Sequence, residues 1–101
     1  MKDRYLNTLK NIVLSQVKNE DTSVFLFGSR VKSEKPSRSD VDIGFISSEK
    51  IDSTFFAGIR DKAEDSIVPY RIDLVDFSSV DRDFKETAMK RIIIWKKGKY
   101  L

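Results

Sequence analysis

The chain contains no cysteine and no histidine. That excludes zinc fingers, thiol chemistry, disulfide scaffolds and every catalytic triad built on an imidazole. Acid–base or metal chemistry must then come from carboxylates. No run approaches the ~20 apolar residues that a membrane span needs. The first four residues, MKDR, lead into an amphipathic pattern rather than a signal-peptide core. The expected location is therefore the cytoplasm, with no membrane partner. Repeats, low-complexity blocks and internal linkers are also missing, so the 101 residues are expected to form one domain, 1–101. Apolar residues at 40% and charged residues at 35% give a soluble globular balance rather than a disordered one. A net charge of +3 is mild. It would suit a polyanionic ligand. The basic residues are dispersed and carry no nucleic-acid recognition motif, so nucleic acid is not the expected partner.

Hydrophobic spacing gives the elements. Tyr5, Leu6, Leu9, Ile12, Val13 and Val17 recur at helical intervals and predict an amphipathic helix ending near Asn19. Residues 22–27 (TSVFLF) are a β-rich apolar run that Gly28 breaks. Residues 29–32 form a short helical turn in this reading, and 33–39 a polar loop with a proline. Residues 41–46 (VDIGFI) alternate as a second strand. Ser47 and Ser48 are candidate caps for a helix with Ile51, Phe55, Ile59 and Ala63 on its inner face. Residues 70–76 (YRIDLVD) are a third strand. Ser78 or Ser79 is expected to cap a helix carrying Val80, Phe84 and Ala88. Residues 92–95 give a last strand and 96–101 a basic, solvated tail. The order α-β-β-α-β-α-β predicts an α/β chain of the two-layer α+β kind. Its helices should cover one face of a small mixed sheet and leave the other face for a site.

The second strand carries the strongest chemical signal. Val41, Ile43 and Phe45 share one parity and should face the helices, while Asp40, Asp42 and Gly44 share the other. Two carboxylates so spaced lie on one face with α-carbons ~7 Å apart. Like charges this close repel, and a divalent cation such as magnesium would remove the repulsion. If the third strand lies beside the second, the same parity brings Asp73 to the open face as a third carboxylate. Asp76 falls on the buried parity and reads as a cap or turn residue. Three carboxylates could hold two metal ions, the arrangement that clamps attacking and leaving oxygens in phosphoryl-type transfer. Gly28-Ser29 supplies a close backbone approach, a hydroxyl and amides that can face an anion. Arg30 and Lys32 add cationic partners for phosphate. Lys35 and Arg38 read as loop charges, Trp95 as core, and Tyr5, Tyr70 and Tyr100 as rings packed with their hydroxyls at the surface.

Gly28-Ser29, ten intervening residues and then Asp40-Val41-Asp42 resemble the signature of the polymerase-β-like nucleotidyltransferase superfamily. FLFGSR over 25–30, SDVDI over 39–43 and RIDLVD over 71–76 are similar to successive strands of its minimal nucleotidyltransferases. The likeness spans nearly the whole chain. It implies the nucleotidyltransferase fold, with Gly28, Ser29, Arg30, Lys32 and Ser39 at the nucleotide and Asp40, Asp42 and Asp73 as metal ligands and catalytic groups. It implies magnesium, two ions, as cofactor and ATP as substrate. It implies transfer of AMP to a hydroxyl, such as a tyrosine of a small helical HEPN toxin, with this chain as antitoxin in a hetero-oligomer or homo-oligomer. The family often has a second glycine five residues after the first, where this chain has Ser33. That difference leaves an alternative: a non-catalytic module that neutralises a partner by contact.

Overall fold

The computed structural model describes residues 3–32 and 40–101, with the side chain of Lys32 left out. The expectations for Ser33, Lys35, Arg38 and Ser39 therefore lie outside the described residues, as does that for the Lys32 side chain.

The elements run α1 (Arg4–Gln16), β1 (Ser23–Phe27), α2 (Ser29–Lys32), β2 (Asp40–Ile46), α3 (Ser53–Glu64), β3 (Arg71–Asp76), α4 (Arg82–Met89) and β4 (Ile93–Lys96). The sheet order is β3-β2-β1-β4. Strand β1 pairs antiparallel with β2 and β4, and β2 pairs parallel with β3. The parallel pair needs a crossover, which α3 supplies.

Side-chain parity sorts the core into two layers. Val24, Leu26, Val41, Ile43, Phe45 and Leu74 meet Leu9 and Val13 of α1 and Ile59 and Ala63 of α3. On the opposite face Phe25, Phe27 and Ile46 meet Phe77 and Ala88. All five residues of β1 are buried because the strand is central and covered on both sides. The small mixed sheet matches the expected architecture. The expectation that the helices cover one face only does not hold, because α4 packs Ala88 on the face opposite α1 and α3. It covers part of that face and leaves the β2–β3 end open.

Helix starts differ from expectation. Asp52 caps α3 by accepting from the Thr54 amide, so Ser47 and Ser48 precede the helix rather than cap it. Asp81 caps α4 through the amides of Asp83 and Phe84. The hydroxyls of Ser78 and Ser79 donate instead to Asp76. In both cases an aspartate nearer the apolar periodicity supplies the stronger acceptor for orphan amides. Lys96 is also no tail residue. It ends β4, and its Nζ donates to the carbonyls of Glu20 at 2.9 Å and Thr22 at 2.6 Å, tying the last strand to the α1–β1 connection.

Candidate active site

The open end of the sheet is built by β2, β3 and the turn after β1. Asp42 and Asp73 are direct partners in the parallel register, so their side chains leave the sheet on the same face. This is the juxtaposition the parity reading required. Asp42 lies beside Phe27 in the β1–β2 register, and Asp40 is two residues away on β2. Burial first, then the neighbouring Asp73 and Asp40, push the Asp42 carboxyl above the usual carboxylate range. Two acidic groups held against each other in a partly buried place raise the free energy of the charged state.

Gly28 follows β1 with φ of +79°, in the left-handed region. A Cβ at this position would collide with the Asp42 carboxylate, so only glycine brings the backbone this close. Ser29 then opens α2, exposed, and the Val31 amide closes the turn on the Gly28 carbonyl at 3.1 Å. The Gly-Ser turn and the acidic pair therefore stand side by side.

Arg30 takes a different place from the one its sequence position suggested. Its Nε donates to the Asp40 carbonyl at 3.1 Å, and its Nη1 to Asp3 at 3.4 Å. The guanidinium lies over the Tyr70 ring, 4.2 Å from the centroid. Asp3 also accepts from the Tyr70 hydroxyl and from the Tyr5 and Leu6 amides. Burial works against charge on Asp3. The Tyr70 hydroxyl, the two amides and then Arg30 outweigh it and hold the carboxyl below its usual range. Burial and the bond to Asp3 push the Tyr70 phenol up. The Tyr70 hydroxyl is thus a partner in a network rather than a surface group. Tyr70 and Val31 pack on the α1–α3 layer, away from the face that carries Asp42.

Asp76, on the buried parity, is a turn residue as its pattern implied. It accepts from the amides of Ile51 and Ser78, both at 3.0 Å. Burial raises its carboxyl, but the Ser78 hydroxyl, these amides and Ser79 prevail and leave it below the usual range.

A cleft of about 440 Å³ runs from the acidic pair toward α4. Gly28, Asp42 and Asp73 line it together with the apolar Phe27, Phe84 and Ala88. Arg60 of α3 and Thr87 of α4 also reach it. Sequence reasoning did not single out Arg60 or Thr87, and it took Phe84 as a core position. An exposed arginine on a helix pattern has no local signal of what it reaches across a sheet edge.

Among the described residues no group of three or more acidic side chains is close enough to enclose a cation. The pair Asp42–Asp73 is what the structure brings together, with Asp40 acting on it electrostatically. An oxygen-only donor set of one or two carboxylates still fits magnesium, which keeps several waters and shares its shell with phosphate.

The family sequence model described as "Polymerase beta, Nucleotidyltransferase" matches residues 7–100. The chain belongs to this family. A relative from Haemophilus influenzae (strain ATCC 51907 / DSM 11121 / KW20 / Rd), named "Probable protein adenylyltransferase MntA", is 33% identical over 94 residues, covering 93% of this chain and 81% of its own length. Solved structures carry the same fold at lower identity. A toxin–antitoxin MntA–HpeT mutant superposes with a TM-score of 0.71 at 15% identity, over 92% of this chain and 73% of that one. A tri-AMPylated Shewanella oneidensis HEPN toxin in complex with MNT antitoxin gives 0.64 at 17% identity, over 92% and 73%. As a member of the polymerase-β nucleotidyltransferase family, this chain is a nucleotidyltransferase.

Proposed function

We propose that this nucleotidyltransferase moves AMP from ATP to a hydroxyl of a partner protein, a tyrosine of a small helical HEPN toxin, and thereby acts as its antitoxin. The observation that carries the reading is the register pair Asp42–Asp73 standing beside the Gly28-Ser29 turn. Its acceptor chemistry rests on the names of the similar proteins, one an adenylyltransferase and one an antitoxin bound to an AMPylated toxin. The chain works as one minimal domain in the cytoplasm. No helix among the described residues is long and apolar enough to cross a membrane.

The Gly28 backbone and the Ser29 hydroxyl bind the β and γ phosphates. Asp42 and Asp73 would hold magnesium, with Asp40 adding negative charge beside them; when bound, the ion would neutralise charge on the phosphates and on the leaving pyrophosphate. The acceptor hydroxyl oxygen attacks the α-phosphorus. A P–O bond forms to the acceptor, the α–β bridging bond breaks, and pyrophosphate leaves with that electron pair. Asp73, the more exposed of the register pair, takes the hydroxyl proton. Arg30 acts one step back. By bonding the Asp40 carbonyl it holds the start of β2 against the turn that carries Ser29.

Magnesium-dependent release of pyrophosphate, with the partner's intact mass followed in parallel, tests the assignment. Asp42→Asn should lower the rate by at least 100-fold, the scale on which removing a transition-state charge contact operates. Equal rates in the two proteins would sink the role given to Asp42.

A further inference from the structure

Four phenylalanines form a continuous aromatic cluster on the α4 side of the sheet. Phe77 meets Phe25 and Phe27 edge-on, each at 5.0 Å between centroids. Phe84 closes the cluster, 5.6 Å from Phe77 and 6.1 Å from Phe27. The inner three rings are buried, whereas Phe84 is 43% exposed. An exposed phenylalanine is costly to leave in water, by ~25 cal/mol for each Å² of apolar surface. Here the exposed ring lines the same cleft as Asp42 and Asp73.

The cleft is mixed in character. Acidic groups and a glycine that admits close backbone approach share its lining with the exposed Phe84 ring, Phe27 and Ala88. Its volume of about 440 Å³ lies within the range of small-molecule sites. A ligand that matches this mixed lining carries a polyphosphate, which can meet the acidic pair through a cation, and a flat apolar ring system for the aromatic wall. Thr87, three residues after Phe84 and therefore on the same face of α4, brings a hydroxyl to the same wall. We propose that Phe84 is the stacking platform for the nucleobase of the bound nucleoside triphosphate, with Thr87 at the edge of the base. This site rests on the nucleotidyl transfer proposed above and names the part of it that binds the base. Stacking on one ring tolerates any base, because every base has a π-face. Discrimination among bases then falls to the Thr87 hydroxyl.

The test measures binding to the full chain by calorimetry in magnesium buffer, with three probes: ATP, GTP and inorganic tripolyphosphate. Phe84→Ala should weaken ATP by about 5- to 100-fold, the range of a lost base–aromatic stack, and leave tripolyphosphate unchanged. Phe84→Trp should retain ATP affinity, and Thr87→Val should narrow the difference between ATP and GTP. Undisturbed ATP binding in Phe84→Ala overturns the platform. So does equal weakening of ATP and tripolyphosphate, which reports a collapsed cleft. A wild type that binds none of the probes overturns the nucleotidyl-transfer reading itself, a result distinct from all of these.

Discussion

Position 28 makes two separate demands. Its backbone φ of +79° disfavours any side chain with a Cβ, and a Cβ there would also strike the Asp42 carboxyl. The demands can be separated by substitution. Gly28→Ala should destabilise the fold by about 1–2 kcal/mol, the cost of left-handed backbone in an ordinary residue. Gly28→Asn relieves much of that strain, because asparagine visits this region more readily, but it keeps the collision. Both variants should therefore lose pyrophosphate release, while urea denaturation should show Gly28→Asn as the more stable. Full activity in Gly28→Asn would mean that close approach to Asp42 is not what the glycine is for. The collision is invisible in sequence, where Gly28 is only a strand breaker. The partnership of Asp42 with Asp73 was legible, because strand parity needs nothing beyond alternation and the identity of the neighbouring strand. The same alternation set Asp76 apart as a turn residue.

At the scale of elements, α1 and the Gly-Ser turn are joined through one side chain. Arg30, one-tenth exposed, spans Asp3 at the helix cap, the Tyr70 ring and the Asp40 carbonyl. Arginine can do this because its planar fork donates in fixed directions while its face stacks, and lysine can do neither. Arg30→Lys should lower kcat by about 10- to 100-fold, as expected when a site is misplaced by a fraction of its working geometry. KM for ATP should change little. A raised KM with unchanged kcat would instead mean that Arg30 touches phosphate, the role its place after Ser29 suggested in the sequence. The intraprotein contacts of Arg30 favour the positioning role, and sequence alone could not show them for a physical reason. Sequence spacing gives the order of side chains along a turn but not which of two layers each enters. The same limit applies to α4. Its periodicity identified Phe84 and Ala88 as one face, yet nothing in it said that this face meets Phe77 rather than the α1–α3 layer. The caps of α3 and α4 were misplaced within a few residues for a simpler reason, since runs such as SSEKID and SSVD offer several hydroxyl or carboxylate acceptors in succession.

Two carboxylates fasten the whole molecule at opposite ends of β3. Asp3 holds Tyr70, the residue before the strand, and Asp76 is its last residue, bonded to Ile51 ahead of α3 and to Ser78 ahead of α4. Strand β3 carries Asp73, so these anchors fix an edge strand that would otherwise be held only by β2 and its packing. Both carboxyls sit below the ordinary value of 3.8 in the folded chain. Between the folded and unfolded values the unfolded chain binds more protons, so stability rises with pH across that window. The contribution is complete above the unfolded value and is lost as pH falls through the folded one. Thermal or urea denaturation should therefore show stability falling as the pH drops through and below 3.8. Asp3→Asn with Asp76→Asn should be less stable than wild type at pH 7 and should lose less on acidification. Hydrogen exchange should show the loss first in the amides of β3. A double variant with the wild-type acid slope would mean that other carboxylates carry the acid response, and that β3 is held by its ladder to β2 alone.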